Sequence, residues 1–182
     1  MGKGCCNYKF NIMKKIEKYI RNVKDFPKPG IIFKDITPLL ADPEAMKMTL
    51  EELLKMVPKD VDKVIGIEAR GFFFGTLLAE HLNAGFVPVR KPNKLPYQVH
   101  SETYDLEYGT DSLEMHIDAI KPGEKVLIHD DVLATGGTAE AVAKLVEKSG
   151  GKVVMLNFLI ELEFLKGRDK LKNYKISSLL KY

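Results

Sequence analysis

The pattern of apolar and polar residues predicts different structures before and after about residue 60. In the first part, apolar residues recur at helical spacing in two stretches, which predict helices over Met13–Val23 and from Pro43 to about Val57. The segment between them, residues 26–40, contains three prolines and one glycine and predicts irregular, locally stiff backbone. We therefore expect two helices joined by a stiff loop in this part of the chain.

Beyond residue 60, short apolar runs alternate with helical stretches. The runs predict strands at Val64–Ile67, Gly85–Val89, Leu113–Ile117, Val126–Ile128 and Lys152–Ile160. Helices are predicted after Gly71 to about Leu82 and from Thr138 to about Lys148. This alternation predicts an α/β fold with a central parallel sheet and right-handed crossovers. Ligands in such sheets bind at the carboxyl ends of the strands, so candidate functional residues are sought there.

Composition and charge narrow the class of protein. The 182 residues can bury a sizeable core, and 45% hydrophobic with 29% charged residues excludes disordered and collagen-like chains. The net charge of +3 is too small to indicate nucleic-acid binding, and no apolar stretch is long enough for a membrane span. Adjacent Cys5 and Cys6 do not make a disulfide framework. We therefore expect a cytoplasmic protein with no nucleic-acid or membrane partner.

Residues 1–12 precede the first helical pattern and are interpreted as a disordered or non-native extension. Two alternatives stay open for them. Gly2 followed by Cys5 and Cys6 is a weak signal for acylation, because an N-terminal glycine and nearby cysteines can each carry a lipid. Translation from Met13 is the other alternative.

The segment Val126–Leu145 carries the strongest functional signal. Buried apolar residues lead to Asp130 and Asp131, and a short loop containing Gly136 and Gly137 then opens a helix. Glycines allow close backbone approach to a ligand, and the free amides of the first helical turn attract anions. The pattern predicts a phosphate-binding loop, although not a Walker A loop, because no GK[ST] motif is present.

Two acidic residues beside an anion site favour contacts with hydroxyl groups or a divalent cation, as in a phosphorylated sugar. Neighbouring residues of a regular strand point to opposite faces, so Asp130 and Asp131 are expected to differ in role. An alternative is a simple strand-end turn with Thr138 as helix N-cap and solvated aspartates.

Several motifs in the same order resemble the type I phosphoribosyltransferase family, in particular its adenine-specific members. The matching segments are FPKPGIIFKDITPLL, GIEARGFFFG, VPVRKPNKLP, YDLEYG, DDVLATGGT and LIELEFLKGRDKL. They lie within about residues 13–171. The resemblance implies a central parallel sheet flanked by helices, a small N-terminal hood and a mobile catalytic loop. It also implies a single domain over residues 13–182, with the hood at about 24–42 and the core at about 60–160.

The reaction implied by the resemblance transfers ribose 5-phosphate from phosphoribosyl pyrophosphate to N9 of adenine, giving AMP and pyrophosphate in purine salvage. It further implies a homodimer and Mg²⁺ carried by the substrate rather than by a protein cage. One rival is a related enzyme that uses xanthine, hypoxanthine or another base. The other is a ligand-sensing regulator that binds nucleic acid, which would need a binding surface that the sequence does not indicate.

The resemblance also implies site residues. The 5-phosphate site maps to Ala134, Thr135, Gly136, Gly137 and Thr138, and the ribose site to Asp130 and Asp131. The pyrophosphate site maps to the loop 68–71 and a basic segment, through Ala69, Arg70, Arg90, Lys91 and Lys94. The adenine site maps to Ile32, Lys34 and Val132. Alternatives are an Arg70–Glu68 pair, solvated charges at 90–94, and ordinary core at Ile31–Phe33.

The segment from Arg90 to Gly109 is expected to be a structureless catalytic flap, because a loop of that length in a compact domain is commonly a lid or disordered. Within it, Glu107 matches the catalytic acid of the family, placed near N7 of adenine. His129 stands where an aliphatic residue is usual, and we interpret it as a hydrogen-bonded strand histidine rather than a catalytic one.

Overall fold

The computed structural model describes residues 11–105 and 109–182. Contacts within the chain define two compact units, 1–55 and 56–182. The segment expected to form a hood, 24–42, belongs to the first unit, and the expected core, 60–160, belongs to the second. The interpretation of 13–182 as a single domain stays a prediction.

The first unit combines short helices with a two-stranded sheet. Its elements are helix α1 (residues 11–17), strands β1 (Arg21–Lys24) and β2 (Ile32–Asp35), and helices α2 (Thr37–Ala41) and α3 (Pro43–Leu54). The strands pair antiparallel, with Arg21 opposite Asp35. Asp42 caps α3 by accepting a hydrogen bond from the amide of Ala45 at 2.8 Å.

The helix predicted over Met13–Val23 is wrong in its second half. The chain leaves the helix after Glu17 and forms β1, whose residue Val23 faces Phe33 across the small sheet. Strand pairing therefore overrides a helical periodicity that only a few apolar residues supported. Residues 11 and 12, interpreted as part of a disordered extension, are helical.

The described residues of the second unit contain a parallel sheet and a separate hairpin. The strands are β3 (Lys63–Ile67), β4 (Gly85–Val89), β5 (Val99–Asp105), β6 (Thr110–His116), β7 (Lys125–Leu133), β8 (Lys152–Glu161) and β9 (Ile176–Lys181). The helices are α4 (Gly71–His81) and α5 (Gly137–Lys148). The predicted helix boundaries agree with these to within about one residue.

The sheet has five parallel strands in the order β4-β3-β7-β8-β9, which confirms the predicted α/β architecture. Helix α4 packs against β3 and β7, and α5 packs against β7 and β8. The core around the sheet is built from strand residues such as Ile65, Ile128, Leu156 and Phe158, all at most 1% exposed. The carboxyl ends of β3 and β7 therefore meet at one edge of the sheet.

A line of polar side chains crosses the buried interior of this sheet. His129 on β7 lies opposite Asn157 on β8, which lies opposite Ser177 on β9. Asn157 Nδ2 donates to Ser177 Oγ at 2.9 Å, and its Oδ1 lies 2.8 Å from His129 Nδ1. Because that amide oxygen can only accept, His129 carries its proton on Nδ1. This is the hydrogen-bonded strand histidine that was predicted.

The expectation of a structureless flap from Arg90 to Gly109 is wrong over β5. Residues Val99–Asp105 pair antiparallel with β6 in a hairpin. The polar composition of β5 concealed this strand, whereas the predicted strand Leu113–Ile117 covers most of β6. Separately, within the part of the chain described here, no helix is both long and apolar enough to cross a membrane.

Candidate active site

The predicted phosphate loop connects the end of β7 to the start of α5. Gly136 is the N-cap of α5 and has a left-handed backbone with φ +84°, which glycine adopts without steric cost. No side chain caps this helix, so the alternative with Thr138 as N-cap is wrong. The loop lines a small cavity of about 60 Å³ together with Asp130, Val132 and Phe158. Amides of the first turn are thus available to an anion.

The C-terminal part of the chain packs closely against the phosphate loop. A Cβ added at Gly136 would collide with the carbonyl oxygen of Gly167, and one added at Gly167 would collide with that of Ala134. Next to this contact, Arg168 donates two hydrogen bonds to Glu161, at 2.6 and 2.7 Å. The path of the loop therefore depends on a turn about thirty residues further along the chain.

Asp130 and Asp131 lie next to the loop and have different surroundings, as expected from their alternation on β7. The Asp131 side chain is 5% exposed, and its Oδ2 lies 2.9 Å from Arg70 Nε. Asp130 Oδ1 accepts a hydrogen bond from the amide of Asp131 at 2.9 Å. Burial raises the pKa of Asp130 well above its ordinary value, and the charge of Asp131 adds to this effect. Burial also raises the pKa of Asp131, against the opposing influence of Arg70.

Glu68, directly after β3, contacts three of the basic residues that were predicted to bind pyrophosphate, namely Arg90, Lys91 and Lys94. Its Oε1 accepts from Lys94 Nζ at 2.5 Å, and its Oε2 accepts from the backbone amide of Lys91 at 2.9 Å. Arg90 Nε lies 3.3 Å from Oε2. Burial raises the pKa of Glu68, but these hydrogen bonds outweigh it and bring the pKa to about 2. The alternative of an Arg70–Glu68 pair does not describe this arrangement, in which Arg70 faces Asp131.

The side chain of Lys91 points to the hairpin. Its ammonium group forms a close ion pair with Asp111 on β6, and the hydroxyl of Tyr104 lies at 3.5 Å. The peptide bond between Glu68 and Ala69 is cis. Ala69 and Arg70 follow Glu68 directly after the carboxyl end of β3, and Arg70 contacts Asp131.

The predicted adenine-binding residues fall in both units. Ile32 and Lys34 lie on β2 in the first unit, where Ile32 is 53% exposed and Lys34 Nζ donates to Asn22 at 2.8 Å. With Ile31 also 44% exposed, the alternative that Ile31–Phe33 is ordinary core is wrong for the two isoleucines. Val132 lines the small cavity in the second unit. The predicted catalytic Glu107 lies outside the described residues, and its role stays a prediction.

Two contributions to this site were missed by the sequence analysis. Phe158 lines the cavity from β8, and Glu68 organises the basic segment. A buried apolar strand residue gives no signal of its own in a sequence. Glu68 stood in a recognised motif, but its partners lie 22 and 26 residues away, so only the pairing of β3 with β4 brings them together.

Comparison with known proteins identifies the family. Residues 40–178 match the model of the phosphoribosyl transferase domain. The chain is 65% identical over 168 residues to the adenine phosphoribosyltransferase of Christiangramia forsetii, covering 92% of this chain and 98% of that protein. It is 62% identical over 169 residues to the corresponding protein of Flavobacterium johnsoniae, with 92% and 99% covered.

Solved structures give the same result. The crystal structure of adenine phosphoribosyltransferase from Rhodothermus marinus superposes with a TM-score of 0.91 at 55% identity, covering 95% of this chain and 99% of that one. The Saccharomyces cerevisiae enzyme, crystallised with an imino-altritol bisphosphate and adenine, gives 0.86 at 39% identity, with 94% and 99% covered. The chain therefore has the type I phosphoribosyltransferase fold and belongs to the adenine phosphoribosyltransferases.

Proposed function

We propose that this protein transfers ribose 5-phosphate from phosphoribosyl pyrophosphate to N9 of adenine, releasing pyrophosphate and forming AMP for purine salvage. The observation that carries the proposal is the edge of the sheet where the phosphate loop, the half-buried Asp130, the buried Asp131 and Arg70 lie together. A sugar phosphate needs this combination, because its two ends are anionic and its middle presents hydroxyl groups. Family membership supports the same conclusion.

In the proposed complex, amides of Ala134–Thr138 bind the 5-phosphate, while Asp130 and Asp131 accept hydrogen bonds from the ribose hydroxyls. Arg70, with Ala69 beside it, contacts the pyrophosphate group, and Arg90, Lys91 and Lys94 supply further positive charge. Holding both ends of the substrate places C1′ between the leaving group and the base.

The chemical step exchanges one bond at C1′. The C1′–O bond breaks and its electron pair leaves with pyrophosphate, while the lone pair of N9 forms the new C1′–N bond. Buried carboxylates beside the ribose stabilise the positive charge that develops on the sugar. We propose that Glu107 accepts the proton from N7 of the base as the new bond forms.

The donor set at the ribose position fits Mg²⁺. Asp131 is buried beside Asp130 and is ion-paired with Arg70, and carboxylate oxygens are hard ligands of the kind that this ion prefers. Asp130 and Asp131 would hold it together with substrate oxygens and water. Bound there, Mg²⁺ would neutralise the charge of the pyrophosphate group. Among the described residues, no group of three or more His, Cys, Asp or Glu is placed to hold a metal by itself.

We propose that the base is recognised by backbone groups near Ile32 and Lys34, with apolar packing from Ile32 and Val132. The exocyclic amine of adenine would donate to a carbonyl group, whereas a 6-oxo purine would leave that carbonyl without a partner. The large exposed fraction of Ile32 supports this role, since an apolar side chain is then available to cover a base.

The test is AMP formation from adenine, phosphoribosyl pyrophosphate and Mg²⁺, run beside hypoxanthine, guanine, xanthine and orotate. Turnover of adenine alone is the expected result. Turnover of a 6-oxo purine alone would retain the phosphate site but overturn the base assignment. Tight binding of phosphoribosyl pyrophosphate without turnover of any base would favour a ligand-sensing regulator.

A matched pair of glycine variants tests whether AMP binding depends on the phosphate loop. Gly136→Ala forces a left-handed alanine against Gly167 and should abolish AMP binding. Gly123→Ala puts the same strain at φ +86° in a turn where nothing lies within 4 Å of the new Cβ. It should therefore bind AMP normally, and equal losses in both variants would argue against the loop assignment.

We further propose a cytoplasmic homodimer. Phe73 on α4 is 46% exposed, and Phe164 is 71% exposed, so each is an apolar side chain that a second copy would cover. Sedimentation equilibrium should give twice the mass of one chain, and a monomer at micromolar concentration would contradict the proposal.

A further inference from the structure

The basic segment that follows β4 forms an anion-binding group in its own right. Arg90 exchanges two backbone hydrogen bonds with Glu114 on β6, at 2.8 and 2.9 Å, and the amide of Asn93 donates to the Glu114 side chain at 3.0 Å. Arg90 also donates to the carbonyl of Lys94 at 3.1 Å. These contacts fix the segment to the hairpin, so its donors are held in one orientation.

The anion that these donors bind in the structure is the carboxylate of Glu68. A guanidinium, an ammonium and a backbone amide converge on its two oxygens, from Arg90, Lys94 and Lys91 respectively. This is the donor set by which proteins commonly bind phosphate oxygens. The Glu68 side chain is only 10% exposed, so its charge is compensated mainly by these groups rather than by water.

We propose that Glu68 is an internal counter-anion of the pyrophosphate site. A pyrophosphate group must displace its carboxylate in order to bind the side chains of Arg90 and Lys94 and the backbone amide of Lys91. The proposal rests on the proposed function, which places pyrophosphate at this segment. The single backbone N–H of Lys91 can serve only one acceptor at a time, and the charge of the carboxylate repels an incoming anion, so the carboxylate competes with the ligand. Glu68 would thereby weaken pyrophosphate binding and favour release of this product.

The test measures pyrophosphate binding directly by isothermal titration calorimetry, at fixed Mg²⁺ and again without Mg²⁺, for the wild-type chain and Glu68→Gln. The amide keeps the shape of the side chain but removes its charge, so pyrophosphate should bind about tenfold more tightly, which corresponds to about 1.4 kcal/mol. The affinity for AMP, which lacks a pyrophosphate group, should change less than twofold. Glu68→Ala, which places no amide against the cations, should shift pyrophosphate affinity in the same direction.

Glu124→Gln is the matched control. Glu124 precedes β7 at the opposite end of the sheet, accepts a backbone hydrogen bond from Lys121 at 2.8 Å and lies 3.9 Å from Lys63 Nζ. Removing its charge should leave pyrophosphate affinity unchanged.

Three results would overturn the inference. Unchanged or weaker pyrophosphate binding in both Glu68 variants would mean that the carboxylate orients the basic groups instead of competing for them. Weakening only in the presence of Mg²⁺ would mean that Glu68 is a ligand of the bound metal. No binding of pyrophosphate to the wild-type chain would remove the site altogether. The titration involves no turnover, so its result is independent of the turnover test with adenine and the other bases. A chain that binds pyrophosphate but makes no AMP would overturn the proposed function alone.

Discussion

At the scale of single residues, the candidate site depends on charges that are buried with specific partners. Asp131 and Arg70 form such a pair, and Glu68 and Lys94 form another. A buried carboxylate without its partner is costly, so each of these groups limits how its neighbour can be replaced. His129 is the contrasting case, because it is buried as a neutral group and its second ring nitrogen has no hydrogen-bond partner among the described residues.

Asp131→Asn should weaken AMP and phosphoribosyl pyrophosphate binding at least about tenfold, because a hydrogen bond to a charged group contributes about 1.5–3 kcal/mol. Adenine affinity, measured by equilibrium dialysis, should stay within twofold of wild type. Asp118→Asn, at an exposed position, is the control and should change neither. Equal weakening of adenine and AMP would contradict a ribose role for Asp131.

Stability should depend on pH through His129. Burial lowers its pKa to about 4, with the hydrogen bond to Asn157 opposing the shift. Between pH 6.5 and 4 the unfolded chain binds a proton that the folded chain does not, so the free energy of unfolding falls as the pH falls, by about 3 kcal/mol from this group. Urea unfolding of wild type and His129→Leu across this range should show a shallower decline for the variant. Parallel curves would contradict the assignment.

At the scale of secondary-structure elements, the features that could be predicted are those whose sequence pattern lies in adjacent residues. The interior strand β3 and the first part of β7 were predicted because strands buried on both faces are continuous apolar runs, whereas β7 extends to Leu133 through polar residues. The hairpin strand β5 and the edge strand β9 were missed, since polar residues interrupt their patterns, such as Ser101 in β5 and Ser177 in β9. The phosphate loop was predicted from adjacent residues, whereas its support by Gly167 arises from packing between distant segments.

Gly167→Ala tests that support. The new Cβ would push the Ala134 carbonyl away, so AMP should bind about tenfold more weakly while adenine affinity is unchanged. Gly151→Ala is the control: its Cβ would lie 2.8 Å from Ile120 and 2.9 Å from Val146, next to the amino end of β8. Both variants should lose thermal stability, but only the first should lose AMP affinity. Equal AMP affinity in the two would show that the turn does not position the loop.

At the scale of the whole molecule, the parallel sheet positions the site, and we propose that Mg²⁺ arrives with the substrate. The acidic residues at the site form a pair rather than a complete metal cage among the described residues. The fold itself should therefore be independent of divalent cations.

Treatment with EDTA should abolish AMP formation, and added Mg²⁺ should restore it. The melting temperature of the free protein and its affinity for AMP should both be unaffected by the chelator, because neither depends on a resident ion. Calorimetric scans with and without EDTA make the comparison. A lower melting temperature in EDTA would indicate a structural metal site.

The polar line through β7, β8 and β9 has a consequence for how the sheet is assembled. His129, Asn157 and Ser177 are opposite one another only in the observed alignment. Sliding β8 by one residue would place Leu156 or Phe158 against His129 and leave these polar groups buried without partners. Misaligned sheets are thereby penalised during folding. Three side chains that have no part in the proposed reaction thus help to select the one alignment in which Asp130 and Asp131 emerge beside the phosphate loop.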